Sequence, residues 1–157
     1  MTALETSPRI TPFLWFDSNA EEAVDFYLSV FKNSRRIDTV IRNVEDPGGA
    51  KGSVLIIEFV LDGQRFVALN GGPNHKFNDA VSFFVNCETQ AEIDEYWSRL
   101  TEGGSEIQCG WLRDKFGLCW QIVPTRIREL IKHPNAFQAM LTMKKLDLAE
   151  LERAASA

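Results

Sequence analysis

The apolar and polar positions of the chain change period several times, and each change marks an element. Residues 10–16 are aromatic and apolar and stop at Asp17-Ser18-Asn19, a pattern that predicts a strand followed by helix-capping side chains. Ala23, Val24, Tyr27, Leu28 and Phe31 then recur at helical spacing, with Glu21, Glu22 and Asp25 toward the positive end, so a helix is expected over 20–31. Asn33-Ser34 ends it, residues 36–43 alternate as a strand does, and Glu45-Asp46-Pro47-Gly48-Gly49 has the chemistry of a loop. Residues 53–61 and 65–70 read as a hairpin about Asp62-Gly63.

The stretch 71–78, opening Gly71-Gly72-Pro73-Asn74-His75-Lys76, carries the strongest linker signal. The order of elements then repeats. Residues 80–87 predict a strand, and 89–100 a helix with Ile93, Tyr96, Trp97 and Leu100 on one face, a Thr89/Glu92 capping box at its start and Gly103-Gly104 at its end. Two further strands are expected over 107–112 and 118–123, joined through residues 113–117. The remainder reads as helical over 126–132 and 136–152, broken at His133-Pro134. Strand, helix and strands thus occur twice about 70 residues apart, which fits either an internal duplication or two unrelated α+β units of similar make-up. Amphipathic helices beside antiparallel strands would leave one sheet face to line a concavity.

Composition narrows the class. With 157 residues, 45% hydrophobic and 25% charged, the chain suits one globular domain, or two small modules sharing a core, and not a disordered or disulfide-stapled one. Its 11 Phe and 4 Trp serve a core or line a pocket. The net charge of −5 argues against nucleic acid as a partner. Lys32, Arg35 and Arg36 form the one local basic cluster, readable as a solvated helix cap or as an anion site. Residues 1–10 show no secretory pattern, and the longest apolar runs, 54–57 and 81–85, are too short to cross a bilayer, so no membrane association and a cytoplasmic location are expected. Cys87, Cys109 and Cys119 are odd in number and lack zinc-site spacing. Cys109 and Cys119 flank a hairpin that would bring them near each other, and a reducing compartment would keep them as thiols.

The run TPFLWFDSNAEEAVDFYLSVF resembles the opening of a βαβββ module of the vicinal-oxygen-chelate (glyoxalase/bleomycin-resistance) superfamily. The run LNGGPNHKFNDAVSFFVNCETQAEIDEYWSRLTEGG, followed by CGWLRDKFGLCWQIVP, resembles its PhnB-like branch, often labelled 3-demethylubiquinone-9 3-methyltransferase. The resemblance spans residues 10–124. It implies an α+β chain of two βαβββ modules, 9–70 and 79–124, forming paired half-barrels, with 71–78 between them and a helical extension over 125–157. It also implies a small organic ligand in the barrel cavity and a homodimer by analogy.

In metal-dependent members, four cavity positions carry His, Glu or Gln ligands. The resemblance places these at Thr11, Ala68, Ala80 and Gln121. Only Gln121 has a side chain able to join such a site, and a divalent ion needs several imidazole or carboxylate ligands. No metal and no other cofactor is therefore expected. The same register assigns Phe13, Trp15, Asn70, Ser82, Phe84, Cys119 and Gln121 to the ligand cavity, an aromatic lining with a few hydrogen-bonding groups. Core packing for the aromatics, and turn formation for Asn70, are the competing readings.

His75 is the candidate acid–base group, and a solvated linker histidine is its plainer reading. His133 reads as a helix C-terminal cap. The glycine pairs lie in loops without the strand-to-helix turn that commonly cradles a methyl donor, so the residues speak against the methyltransferase label. Three functions stay open. The first is metal-independent binding of a small molecule. The second is an enzyme, either a methyltransferase on a quinone-like substrate or a glyoxalase-like lyase or isomerase. The third is a subunit recruiting a partner through Met140, Leu141, Met143, Leu146, Leu148 and Leu151, which otherwise bury against the chain's own barrel.

Overall fold

A computed structural model describes residues 8–157. The chain divides into two compact units, one ending at Lys76 and the other running from Phe77 to Ala157.

The first unit contains β1 (Phe13–Phe16), α1 (Ala20–Val30), β2 (Arg35–Ile41), β3 (Val54–Leu61) and β4 (Gln64–Asn70). Its sheet has the order β1-β4-β3-β2, with β1 parallel to β4 and the other pairs antiparallel. Asp62 and Gly63 both take positive φ, 46° and 83°, as the tight turn between β3 and β4 requires. Leu14, Phe16, Ile57, Phe59, Phe66 and Ala68 lie on the buried face, with Ala23, Val24 and Tyr27 of α1 packed into the same core. Asn19 makes no side-chain cap on α1. Asn70, at the end of β4, caps the helix instead, its Oδ1 accepting from the Ala20 N–H at 2.8 Å.

The second unit contains β5 (Ser82–Cys87), α2 (Gln90–Thr101), β6 (Ser105–Glu106), β7 (Trp111–Arg113) and β8 (Cys119–Pro124). The sheet order, β5-β8-β7-β6, has β5 parallel to β8 and thus repeats the pattern of the first unit. The Thr89 hydroxyl accepts from the Glu92 N–H at the start of α2, as the capping pattern predicts. The strand expected over 107–112 forms only at its end, as β7, and residues 107–110 separate it from β6. Cys109 and Gly110 adopt φ of 60° and 84° there, and their N–H groups donate to the carbonyls of Met143 and Lys144. A partner distant in sequence takes hydrogen bonds that a continuous ladder would have used.

Three helices follow, α3 (Ile127–Leu130), α4 (Pro134–Leu141) and α5 (Leu148–Ala155). The helix expected over 136–152 is interrupted between Thr142 and Asp147, where Asp147 caps α5 by accepting from Glu150 N–H at 3.0 Å. His133 precedes α4 as its N-cap residue and makes no side-chain cap. Leu130, Leu146 and Leu151 bury with Val123 and Ile127, and Met140, Met143 and Leu148 pack against them, so most of the proposed partner surface is this unit's own core. Leu141 remains 45% exposed. No helix among the described residues is long and apolar enough to cross a membrane.

Candidate functional site

Strand alternation decides which side chains share the sheet face turned away from each helix. In the first unit, Phe13 pairs with Val67 and Trp15 with Leu69, while Leu14 pairs with Ala68 and Phe16 with Asn70. Phe13 and Trp15 therefore share a face with Val67 and Leu69. Ala68 and Asn70 belong to the opposite, helix-covered face, one residue out of the expected register. Asn70 is 5% exposed, with its Nδ2 donating to the Val54 carbonyl at 3.1 Å. Its side chain is committed to α1 and β3 and does not line the face of Trp15.

The same register adds Ile56, Glu58 and Val60 of β3, opposite Leu69, Val67 and Arg65. Glu58, a half-buried carboxylate on an otherwise apolar strand, is a polar group absent from the sequence-based candidates. Period-2 alternation within 54–61 is the signal that points to it. Thr11 precedes β1, half-buried, with its hydroxyl donating to the Pro8 carbonyl at 3.4 Å. Trp15 donates from Nε1 to the Gly72 carbonyl at 2.9 Å and meets His75 edge-on, ring centroids 4.7 Å apart. Trp15 and His75 are thus brought together, although His75 itself is exposed.

Behind this face lies a buried polar network. Arg42, 4% exposed, donates from Nε to Asp46 at 2.9 Å, from Nη1 to the Val54 carbonyl at 2.8 Å and from Nη2 to the Asn70 carbonyl. The Gly48 N–H and the Arg42 guanidinium hold the Asp46 carboxyl below its usual range. Loop 43–52 is thereby tied to the end of β4.

In the second unit the expected register holds for Ser82, Phe84, Cys119 and Gln121. Ser82 pairs with Cys119 and Phe84 with Gln121, and the Gln121 Nε2 donates to the Ser82 hydroxyl at 2.9 Å. Trp111 lies directly across from Gln121, and Arg113 across from Cys119, so both join this face. Arg113 is the last residue of β7 and not a turn residue. It forks onto Asp79 with bonds of 2.8 and 2.5 Å, which holds the Asp79 carboxyl low. The guanidinium of Arg128, from α3, sits 5.8 Å from the Phe84 ring. Ala80 lies in the turn before β5 and is exposed. Trp111 and Arg128 are the additions here: the first was hidden by the expected 107–112 strand, the second by the plain surface character of its helix.

The thiols are free. Burial pushes Cys87 up to about 12 and, with the Asp79 charge second, Cys119 up to about 11. Both stay protonated near neutrality, which does not suit a nucleophile.

A divalent ion fits neither face. Thr11, Leu69 or Ala68, Ala80 and Gln121 offer one amide among hydroxyl and alkyl groups, and among the described residues no three His, Cys, Asp or Glu side chains gather as a metal site would. A methyl-donor cradle does not fit the glycine pairs either. A Cβ on Gly48 would overlap Arg42 and the Asn70 carbonyl, one on Gly71 the Trp15 indole, and one on Gly104 the Arg113 carbonyl. The space at these glycines is taken by the chain itself.

Residues 8–123 match the family model described as 3-demethylubiquinone-9 3-methyltransferase. The PhnB protein of Bacillus cereus, whose structure carries that methyltransferase description, is 35% identical, with a TM-score of 0.67 over 74% of this chain and 99% of its own. A protein of Pseudomonas aeruginosa is 22% identical, with a TM-score of 0.59 over 75% of this chain and 98% of its own. The fosfomycin resistance protein FosX of Listeria monocytogenes, solved with Mn(II) and sulfate, is 14% identical, with a TM-score of 0.52 over 78% of this chain and 98% of its own; that likeness is one of fold alone. No curated protein matches the chain.

Proposed function

The chain belongs to the 3-demethylubiquinone-9 3-methyltransferase (PhnB-like) family, on the vicinal-oxygen-chelate fold, and from that premise we propose that it binds a small, planar organic molecule without a metal ion. The observation that carries this reading is the row Trp111–Gln121–Phe84 on the face of the second sheet turned away from α2, its end at Val123 closed by the C-terminal helices. Two aromatic side chains flank one amide on adjacent strands, about 5 Å apart. Such a row offers stacking surface on either side of a fixed hydrogen-bonding group.

Gln121 is oriented by its bond to Ser82, which leaves its carbonyl oxygen as the acceptor for a ligand N–H or O–H. Arg128, beside Phe84, adds a cation at the edge of this row. The first unit has its own aromatic pair on one face, Phe13 and Trp15, with Glu58 and Arg65 as charged groups on the same face. The same reading takes the protein as cytoplasmic and as a pair of copies, in keeping with its free cysteines and its superfamily. An enzymatic role is the second reading. The family description favours it, and His75 against Trp15 is the acid–base candidate.

The test is titration of a panel of planar phenols and aromatic amides, in buffer containing a chelator, followed by tryptophan fluorescence and calorimetry. At least one compound is expected to saturate one site per chain. Gln121→Ala is expected to weaken it roughly fivefold, since one hydrogen bond is worth about 1 kcal/mol and tenfold would take about 1.4. Binding indifferent to both Gln121→Ala and Phe84→Ala would overturn the placement, and a panel without any binder would overturn the reading.

A further inference from the structure

The C-terminal helices bring a charged side chain to the second sheet as well as apolar cover. Val123 lies two residues beyond Gln121 on β8, so the two share a face, and Val123 buries with Ile127 and Leu130 of α3. α3 is thereby seated against the face that carries Trp111, Gln121 and Phe84. Its Arg128 is exposed and reaches Phe84, the guanidinium carbon 5.8 Å from the ring centre, while Phe84 keeps 39% of its own surface open. A cation at that distance is attracted by the ring yet keeps its N–H donors for another group.

The cations here are unevenly answered. Arg113, across from Cys119 on the same face, is taken up by its fork onto Asp79. Arg126, two residues before Arg128, is taken up by Glu152 at 3.2 Å and Glu129 at 3.9 Å. Arg128 has no such partner: among the described residues no carboxylate pairs with it, and its guanidinium rests against the Phe84 ring. Asn86, two residues along β5 from Phe84 and opposite Val123, brings a side-chain amide to the same face, likewise without a hydrogen bond among the described residues.

We propose that Arg128 is a specificity residue and that the ligand class is the planar aromatic carboxylate, its ring against Phe84 and Trp111 and its acid group on the Arg128 guanidinium. The proposal rests on the second sheet being the ligand site. One unanswered guanidinium presents a pair of parallel N–H donors, which matches the two-oxygen edge of a carboxylate. A phosphate carries further oxygens, and the other guanidinium of this face, Arg113, is already engaged by Asp79. The Gln121 side-chain oxygen, left as an acceptor by the bond from its Nε2 to Ser82, repels a carboxylate. The acid group is therefore steered to the Phe84 side of the row, and a hydroxyl or N–H of the ligand to Gln121. Arg128 lies beyond residues 8–123, the part that matches the family model, so this preference belongs to the helical extension and not to the two modules.

The test uses the full chain and matched pairs of aromatic carboxylates and their primary amides, 4-hydroxybenzoate with 4-hydroxybenzamide and 2-naphthoate with 2-naphthamide. They are titrated at constant ionic strength and followed by calorimetry and amide chemical shifts. Each carboxylate is expected to bind roughly tenfold tighter than its amide, about 1.4 kcal/mol, with saturable shifts at Phe84, Gln121 and Arg128. In Arg128→Gln the carboxylate is expected to fall to the level of the amide, and the amide to keep its affinity. Arg126→Gln, which removes an equal charge two residues away, is expected to leave the preference intact. Equal binding of carboxylate and amide by the unaltered chain, with Gln121 still shifting, would overturn the proposal and leave the ligand site standing. A preference that survives Arg128→Gln, or one lost equally in Arg126→Gln through diffuse attraction, would overturn it as well. Binding that leaves Gln121 and Phe84 unmoved, or no binder of either kind, would overturn the site itself and the proposal with it.

Discussion

Arg42→Ala is expected to lower the stability of the chain by about 3–5 kcal/mol, the range for breaking a buried ionic group away from its partners. Arg42 is almost wholly enclosed and donates to Asp46, to the Ser53 hydroxyl and to the carbonyls of Val54 and Asn70. Removing it leaves the Asn70 carbonyl without this donor and frees loop 43–52. Gly48 and Gly49 sit directly against the guanidinium, so its removal opens space under the loop at both positions. Chemical denaturation checks the figure, and a double-variant cycle with Asn70→Ala checks the mechanism. Both residues hold the same junction, and their effects should be less than additive. A loss below about 1 kcal/mol, the level of an exposed ion pair, would show the network to be ornamental.

Leu146→Ala is expected to cost about 2–5 kcal/mol, as for other fully enclosed leucines. Leu146 has no exposed surface and packs with Val123, Ile127, Leu130 and Leu151. Its neighbours in the chain, Met143 and Lys144, accept the hydrogen bonds of Cys109 and Gly110 at 2.8 Å each. The substitution should therefore be felt in β7 as well as in the C-terminal helices. Hydrogen exchange of the Cys109 and Gly110 amides reads this directly: faster exchange at both is expected. Unchanged stability and exchange would restore the alternative in which this apolar stripe serves a partner and not the unit's own core. Val123 shares a strand with Gln121, two residues on, so the C-terminal helices bury one end of the very strand on which the candidate site lies.

Much of this is legible in the sequence. Helical spacing locates α1 and α2 to within a residue or two, Asp62-Gly63 marks its turn, and the repeat of strand, helix and strands foretells two matching sheets. The face of β4 is not legible. Phe66, Val67, Ala68 and Leu69 are apolar without alternation, so nothing in the run says which residues turn toward α1, and a one-residue slip exchanges the two faces. The second sheet is easier to read because the polar Gln121 stands between buried Trp120 and Ile122. Two further gaps have a common cause, which is distance along the chain. Arg42 looks like any surface arginine until residues 46, 53, 54 and 70 surround it, and the break before β7 depends on carbonyls more than thirty residues onward.

The register correction exchanges Ala68 for Leu69 on the helix-free face and leaves its chemistry alike, since neither side chain coordinates a metal. The proposed metal independence therefore does not rest on that detail. The decisive measurement is the metal content and melting temperature of the chain after exposure to Mn²⁺, Ni²⁺ and Zn²⁺ and removal of loose ions by gel filtration. The account predicts far less than one ion per chain and a melting temperature that added metal does not move. One firmly held ion per chain, with the stabilisation of about 2.7 kcal/mol that a ligand gives at a hundred times its Kd, and the loss of both in Gln121→Ala, would contradict it.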